Sequence, residues 1–146
     1  MKTTGKLRKF IYGITFFFLV LTGFGQMPVY KRYYISDIPG LDWLSQFYIT
    51  HVMHYIASFV LIALAVYIFI SFIFRGSGKI TGSGYLKIFI IAGLIVSGTL
   101  LVIRNLPGVF FGHNLIIVLD LTHLALCMIL MAVSLYTLVT KKSWVK

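Results

Sequence analysis

Residues 46 to 74 read QFYITHVMHYIASFVLIALAVYIFISFIF, a stretch without one charged side chain. At about 1.5 Å of rise per residue, a helix of this length outspans the ~30 Å hydrocarbon core of a bilayer. Working outward, no charge lies between Lys9 and Lys31 or between Lys87 and Arg104, and only Asp120 interrupts the run from Arg104 to Lys141. These gaps predict transmembrane helices over 9–25, 46–74, 84–104 and 112–140. The expected fold is all-α, a single integral membrane domain over 1–146 built as a four-helix transmembrane up-down-up-down bundle, in which the second and fourth spans are able to face each other. The sequence shows no internal repeat.

Composition agrees. The chain has 146 residues, of which 60% are hydrophobic and 11% charged, with a mean hydropathy of +0.98. A soluble domain is about a quarter charged, so that class is excluded. The net charge of +10 would suggest nucleic acid on a soluble protein, but here the basic residues punctuate apolar runs and report topology instead. No nucleic-acid partner is expected. The single Cys127 excludes an internal disulfide and a thiolate metal cluster.

Short loops rich in Lys and Arg stay on the cytoplasmic side. With the N-terminus inside, that side holds Lys2, Lys6, Arg8, Lys9, Arg75, Lys79, Lys87, Lys141, Lys142 and Lys146, against Lys31, Arg32 and Arg104 outside. Both termini are therefore expected to be cytoplasmic, in a multi-pass protein of a bacterial inner membrane. The first run also has the build of a signal peptide, basic residues before it and Thr22, Gly23 and Gly25 after it. With Met1 in place it is expected to remain as a span. Pro28, Pro39 and Pro107 fall in connections, and Gly76, Ser77, Gly78, Gly82, Ser83 and Gly84 mark the turn between the second and third spans. The first outer connection carries Tyr30, Tyr33, Tyr34 and Trp43, aromatics suited to the headgroup level or to a partner surface.

Within the spans, ionisable and metal-ligating side chains are the functional candidates. His51 and His54 lie on the second span, His113 and His123 on the fourth. Both spans run inward, and His54 and His123 reach comparable depths in the outer half. Two helices each offering an imidazole at one level is what the iron of a haem b needs, because the flat macrocycle slots between helices and takes one nitrogen on each face. The alternative is interhelical hydrogen bonding, at about 0.6 kcal/mol per contact. For His51 and His113 that plainer role is preferred, with both kept as alternate ligands. Zinc lacks a supporting cysteine or glutamate. Asp120, three residues before His123, is placed to orient a histidine ring, to accept a proton at a quinone pocket, or simply to hydrogen-bond near the interface. Arg104 is placed to neutralise haem propionates or lipid headgroups. Gly23, Gly93 and Gly98 leave room for a helix or a flat ring to approach.

ITFFFLVLTGF at residues 14–24, HYIASFVLIALAVYIF at 54–69 and LTHLAL at 121–126 together resemble the four-helix cytochrome b subunits of membrane-bound formate dehydrogenase, thiosulfate reductase and nickel–iron hydrogenase, a bacterial group related in architecture to cytochrome b561. The resemblance covers most of the chain. It implies an outer haem on His54 and His123. An inner haem would need ligands at positions matching Lys9 and Thr137, which cannot supply them, so one haem is expected rather than two.

The resulting expectation is a subunit relaying electrons between a menaquinone or ubiquinone pool and a partner redox protein. That partner is a multihaem cytochrome c or an iron–sulfur protein on the outer side, within a larger respiratory complex. A haem-free membrane anchor or assembly subunit is the first rival. A proton-conducting subunit using Asp120 and the histidines is the second, though its usual inverted repeats or broken helices are not seen.

Overall fold

The computed structural model describes residues 2–75 and 79–141. Gly76, Ser77, Gly78, Lys142 and Lys146, named above in the turn and the basic set, lie outside the described residues, as do the side chains of Lys2, Lys31 and Arg75. Every long element is helical, as a lipid environment requires, because a helix satisfies its backbone N–H and C=O groups internally. The helices are α1 (Lys2–Gln26), a short α2 (Pro28–Arg32), α3 (Phe47–Arg75), α4 (Gly82–Ile103) and α5 (His113–Val139), and no β-strand forms among the described residues. Four of them are long and apolar enough to cross a membrane: Lys6–Gln26 within α1, Phe47–Phe74 within α3, and all of α4 and α5. The predicted spans agree within a few residues, except that α1 continues back to Lys2, since nothing among its first, polar residues breaks a helix.

The described residues form two compact units, one ending at Arg75 and the other made of the described residues after it. In the first, α1 packs against α3. Thr22 meets His54 and Gln26 meets His51, so partners rise along one helix as they fall along the other and the pair is antiparallel. In the second, α4 packs against α5 with the same sense: Lys87 meets Thr137, Ser97 meets His123 and Arg104 meets Asp120.

Each unit is thus a helical hairpin with a polar seam and an apolar outside. Thr22 and Thr50 in the first and Ser97 and Thr137 in the second are buried, whereas Phe59 and Phe74 are 75% and 85% exposed and Phe89 is 75% exposed. A soluble protein would reverse this arrangement. Bulky aromatics outside and small hydroxyl residues between helices suit lipid, where close backbone approach and interhelical hydrogen bonds hold helices together.

The hairpin tips differ. Residues 27–46 close the first tip with α2 and two 3₁₀ turns, Ile35–Asp37 and Asp42–Ser45. Pro28 opens α2, where its missing N–H leaves no helical bond unmade. Tyr30, 1% exposed, and Leu44 pin the segment down, and the Tyr30 hydroxyl donates to the Leu41 carbonyl at 2.5 Å. Burial, and secondarily the negative charge of Asp42, raise the Tyr30 phenol above its usual pKa, which keeps that donor proton in place. The second tip is short. There Gly108 takes the left-handed conformation (φ +81°) directly after Pro107, and α5 begins at His113.

Candidate functional site

The first hairpin holds His54 from across the seam. Thr22, in the last full turn of α1, lies with its Oγ1 2.9 Å from His54 Nδ1 and is completely buried. Its neighbour Gly23 lies against the ring: a Cβ there would meet His54 Cε1 at 3.5 Å, an ordinary contact. Thr22 Oγ1 also lies 2.6 Å from the Phe18 carbonyl oxygen, the bond a hydroxyl makes back along its own helix.

The second hairpin repeats the arrangement with different residues. Ser97 Oγ lies 2.9 Å from His123 Nδ1 and 2.8 Å from the Gly93 carbonyl oxygen. A Cβ at Gly98 would sit 3.2 Å from His123 Cε1. In both hairpins a hydroxyl residue followed by glycine, near the end of the outgoing helix, faces a half-buried histidine on the returning one. His54 is seven residues into α3 and His123 ten residues into α5, about 10 and 15 Å along their helices.

The recurrence is invisible to a scan for repeated strings. Thr22-Gly23 and Ser97-Gly98 share one letter, and they are separated from their histidines by 32 and 26 residues. Thr22 and Ser97 are therefore the site residues that the sequence reading passed over. The available signal was a hydroxyl residue directly before a glycine inside each of two apolar runs.

The other candidates lie around these two contacts. His51, one turn nearer the tip than His54, has both ring nitrogens occupied. Nδ1 is 3.3 Å from Gln26 Oε1 and Nε2 is 2.6 Å from the Tyr55 hydroxyl, and the ring stacks on Phe47 with centroids 4.9 Å apart. His113 opens α5 and is exposed. Asp120, three residues before His123, pairs with Arg104 at 3.2 Å, so the partner found at His123 Nδ1 is the Ser97 hydroxyl. A Cβ at Gly98 or Gly93 would press on His123 or Leu126, whereas one at Gly23 would make an ordinary contact with His54.

Farther along the second hairpin, the Lys87 ammonium donates to Thr137 Oγ1 at 2.5 Å, and both residues are buried. Thr137 donates in turn to the Ser134 carbonyl at 3.0 Å. One of the two positions expected for an inner ligand is thus taken up by a lysine–threonine contact. Lys9, the other, is exposed.

No family model, no curated protein and no solved structure matches this chain.

Proposed function

We propose that this multi-pass membrane protein is a b-type cytochrome subunit in which His54 and His123 would hold the iron of a single haem b. The observation that carries the reading is the duplicated seam. In each hairpin a hydroxyl lies at Nδ1 of one histidine and a glycine lies against its ring, so Nε2 is the nitrogen that would face iron. Two neutral imidazoles held in this way are a donor set suited to haem iron. Bound there, the haem supplies a one-electron carrier.

The chain's own part is to bind, orient and insulate. Thr22 and Ser97 hold the rings, Gly23 and Gly98 admit them, and the exposed aromatic surface keeps the hairpins in lipid. Arg104, near the tip of the second hairpin, is the cation for a haem propionate or a headgroup phosphate. Asp120 balances its charge and is the residue for proton exchange at a quinone. The distribution of Lys and Arg supports cytoplasmic termini and hairpin tips on the outer face of a bacterial inner membrane. From there electrons would pass between a menaquinone or ubiquinone pool and an outer partner, a multihaem cytochrome c or an iron–sulfur protein. Substrate chemistry would belong to that partner.

The test is a dithionite-reduced minus oxidised visible spectrum of the protein freshly isolated from membranes, with haem quantified per polypeptide. One b-type haem per chain is the expected result. Two would bring His51 and His113 in as ligands. None would turn the reading over to a haem-free anchor, in which the hydroxyl–histidine contacts only join helices.

A further inference from the structure

We infer that Thr22 and Ser97 are positioning residues that set the tautomer and rotation of His54 and His123, through a hydroxyl that accepts from each Nδ1–H. Each hydroxyl has one proton to donate. Thr22 Oγ1 lies 2.6 Å from the Phe18 carbonyl oxygen, too close for two lone pairs to face each other, so the hydroxyl proton is on that line. Toward His54 Nδ1, 2.9 Å away, the oxygen has only lone pairs to offer, and the ring must bring the proton. Ser97 is in the same position, 2.8 Å from the Gly93 carbonyl oxygen and 2.9 Å from His123 Nδ1. A neutral imidazole protonated at Nδ1 carries its lone pair on Nε2.

The two hairpins thereby deliver the same species by the same route. Each hydroxyl is fixed by a bond within its own helix, so the ring is oriented by a rigid acceptor rather than by a mobile side chain. The acceptor is neutral. A carboxylate in its place would draw the Nδ1 proton and push the ring toward imidazolate, whereas a hydroxyl leaves it a neutral base. The consequence for iron rests on the haem reading above; the tautomer assignment does not.

The full chain in detergent or bicelles, free of haem and labelled with ¹⁵N at histidine, tests the assignment directly by imidazole nitrogen NMR. Nδ1 protonation at both His54 and His123 is the expected result, lost at His54 in Thr22→Val and at His123 in Ser97→Ala, and kept in Thr22→Ser. With haem bound, the loss of either acceptor lowers haem affinity by about 10- to 100-fold. It also raises the midpoint potential, because a less basic imidazole stabilises the ferric state less, and Thr22→Ser restores both. A parent chain with Nε2–H at either ring overturns the inference. So does a Thr22→Val or Ser97→Ala protein of unchanged helicity whose tautomers match the parent's. A chain with the expected tautomers that takes up no haem upholds the positioning role and overturns the haem reading, so the two claims fail separately.

Discussion

The two hairpins carry the same seam contact and differ almost everywhere else. Both set a hydroxyl–glycine pair against a histidine with a 2.9 Å contact at Nδ1. In both, the residue three positions before that histidine reaches back to the end of the preceding helix, but it does so with different chemistry. His51 meets Gln26 and Tyr55 in a neutral network stacked on Phe47, whereas Asp120 meets Arg104 as an ion pair, half exposed on the aspartate side. The first tip is a pinned strap of short helical turns and the second a brief loop. Deep in the second hairpin lies the Lys87–Thr137 contact. What is duplicated is the geometry around one ring; what varies is the layer near the tip, where headgroups and water accept either an ionic or a neutral solution.

The largest effect should come from the rings themselves. His54→Ala and His123→Ala should each abolish the b-type difference spectrum. If either protein keeps a stoichiometric b-type haem, the hairpins are not equivalent and the comparison breaks.

Next comes the buried lysine contact, which belongs to the second hairpin. Thr137→Val removes the hydroxyl that accepts from the buried ammonium and should lower stability by about 1–2 kcal/mol. Lys87→Met removes the charge together with its need for a partner and should change stability less. Reversible unfolding by SDS titration in mixed micelles measures both; a larger loss for Lys87→Met would show that the ammonium stabilises the hairpin on balance.

The glycines sharpen the comparison within the shared device. A Cβ at Gly98 would press on His123 at 3.2 Å, while one at Gly23 would meet His54 at an ordinary 3.5 Å. Gly98→Ala should therefore displace its ring, at a packing cost on the order of 1 kcal/mol, and reduce haem content. Gly23→Ala should be near neutral, or stabilising by up to about 0.5–1 kcal/mol through the helix preference for alanine. Equal haem content in the two variants would remove this distinction between the hairpins.

The smallest effect is expected at the second tip. Arg104→Gln breaks a partly exposed ion pair and should lower stability by only about 0.2–1 kcal/mol. That difference should shrink further as salt is raised, measured by the same SDS titration at two ionic strengths.

Several features were legible in the residues alone because they depend on stretches of chain next to one another. The run from Gln46 to Phe74 has to be a long helix, since a lipid-spanning segment must satisfy its own backbone groups and this one has length to spare. His54 and His123 stood out for a similarly local reason: a coordinating side chain is costly inside such a run. The nearest polar partner of His123 was harder. Asp120, one turn away on the same helix, was open to orienting a histidine ring, accepting a proton or only hydrogen-bonding near the interface; it meets Arg104, and the His123 ring meets Ser97, twenty-six residues back. His51, kept as an alternate ligand, has its two nitrogens against Gln26 and Tyr55.

The sequence by itself determined the number, length and spacing of the spans, the turn signals between them and the basic residues that report topology. The physical reason is that hydrophobic length and backbone satisfaction act within each segment. Only the tertiary structure decided which hydroxyl meets which ring nitrogen. That depends on the register of two antiparallel helices, in which a shift of one residue turns a side chain by about 100° around its axis. Such a register follows from the packing of the whole seam, with Thr22 beside Gly23 on one helix and Ser97 beside Gly98 on the other. Two letters in an apolar run do not contain it.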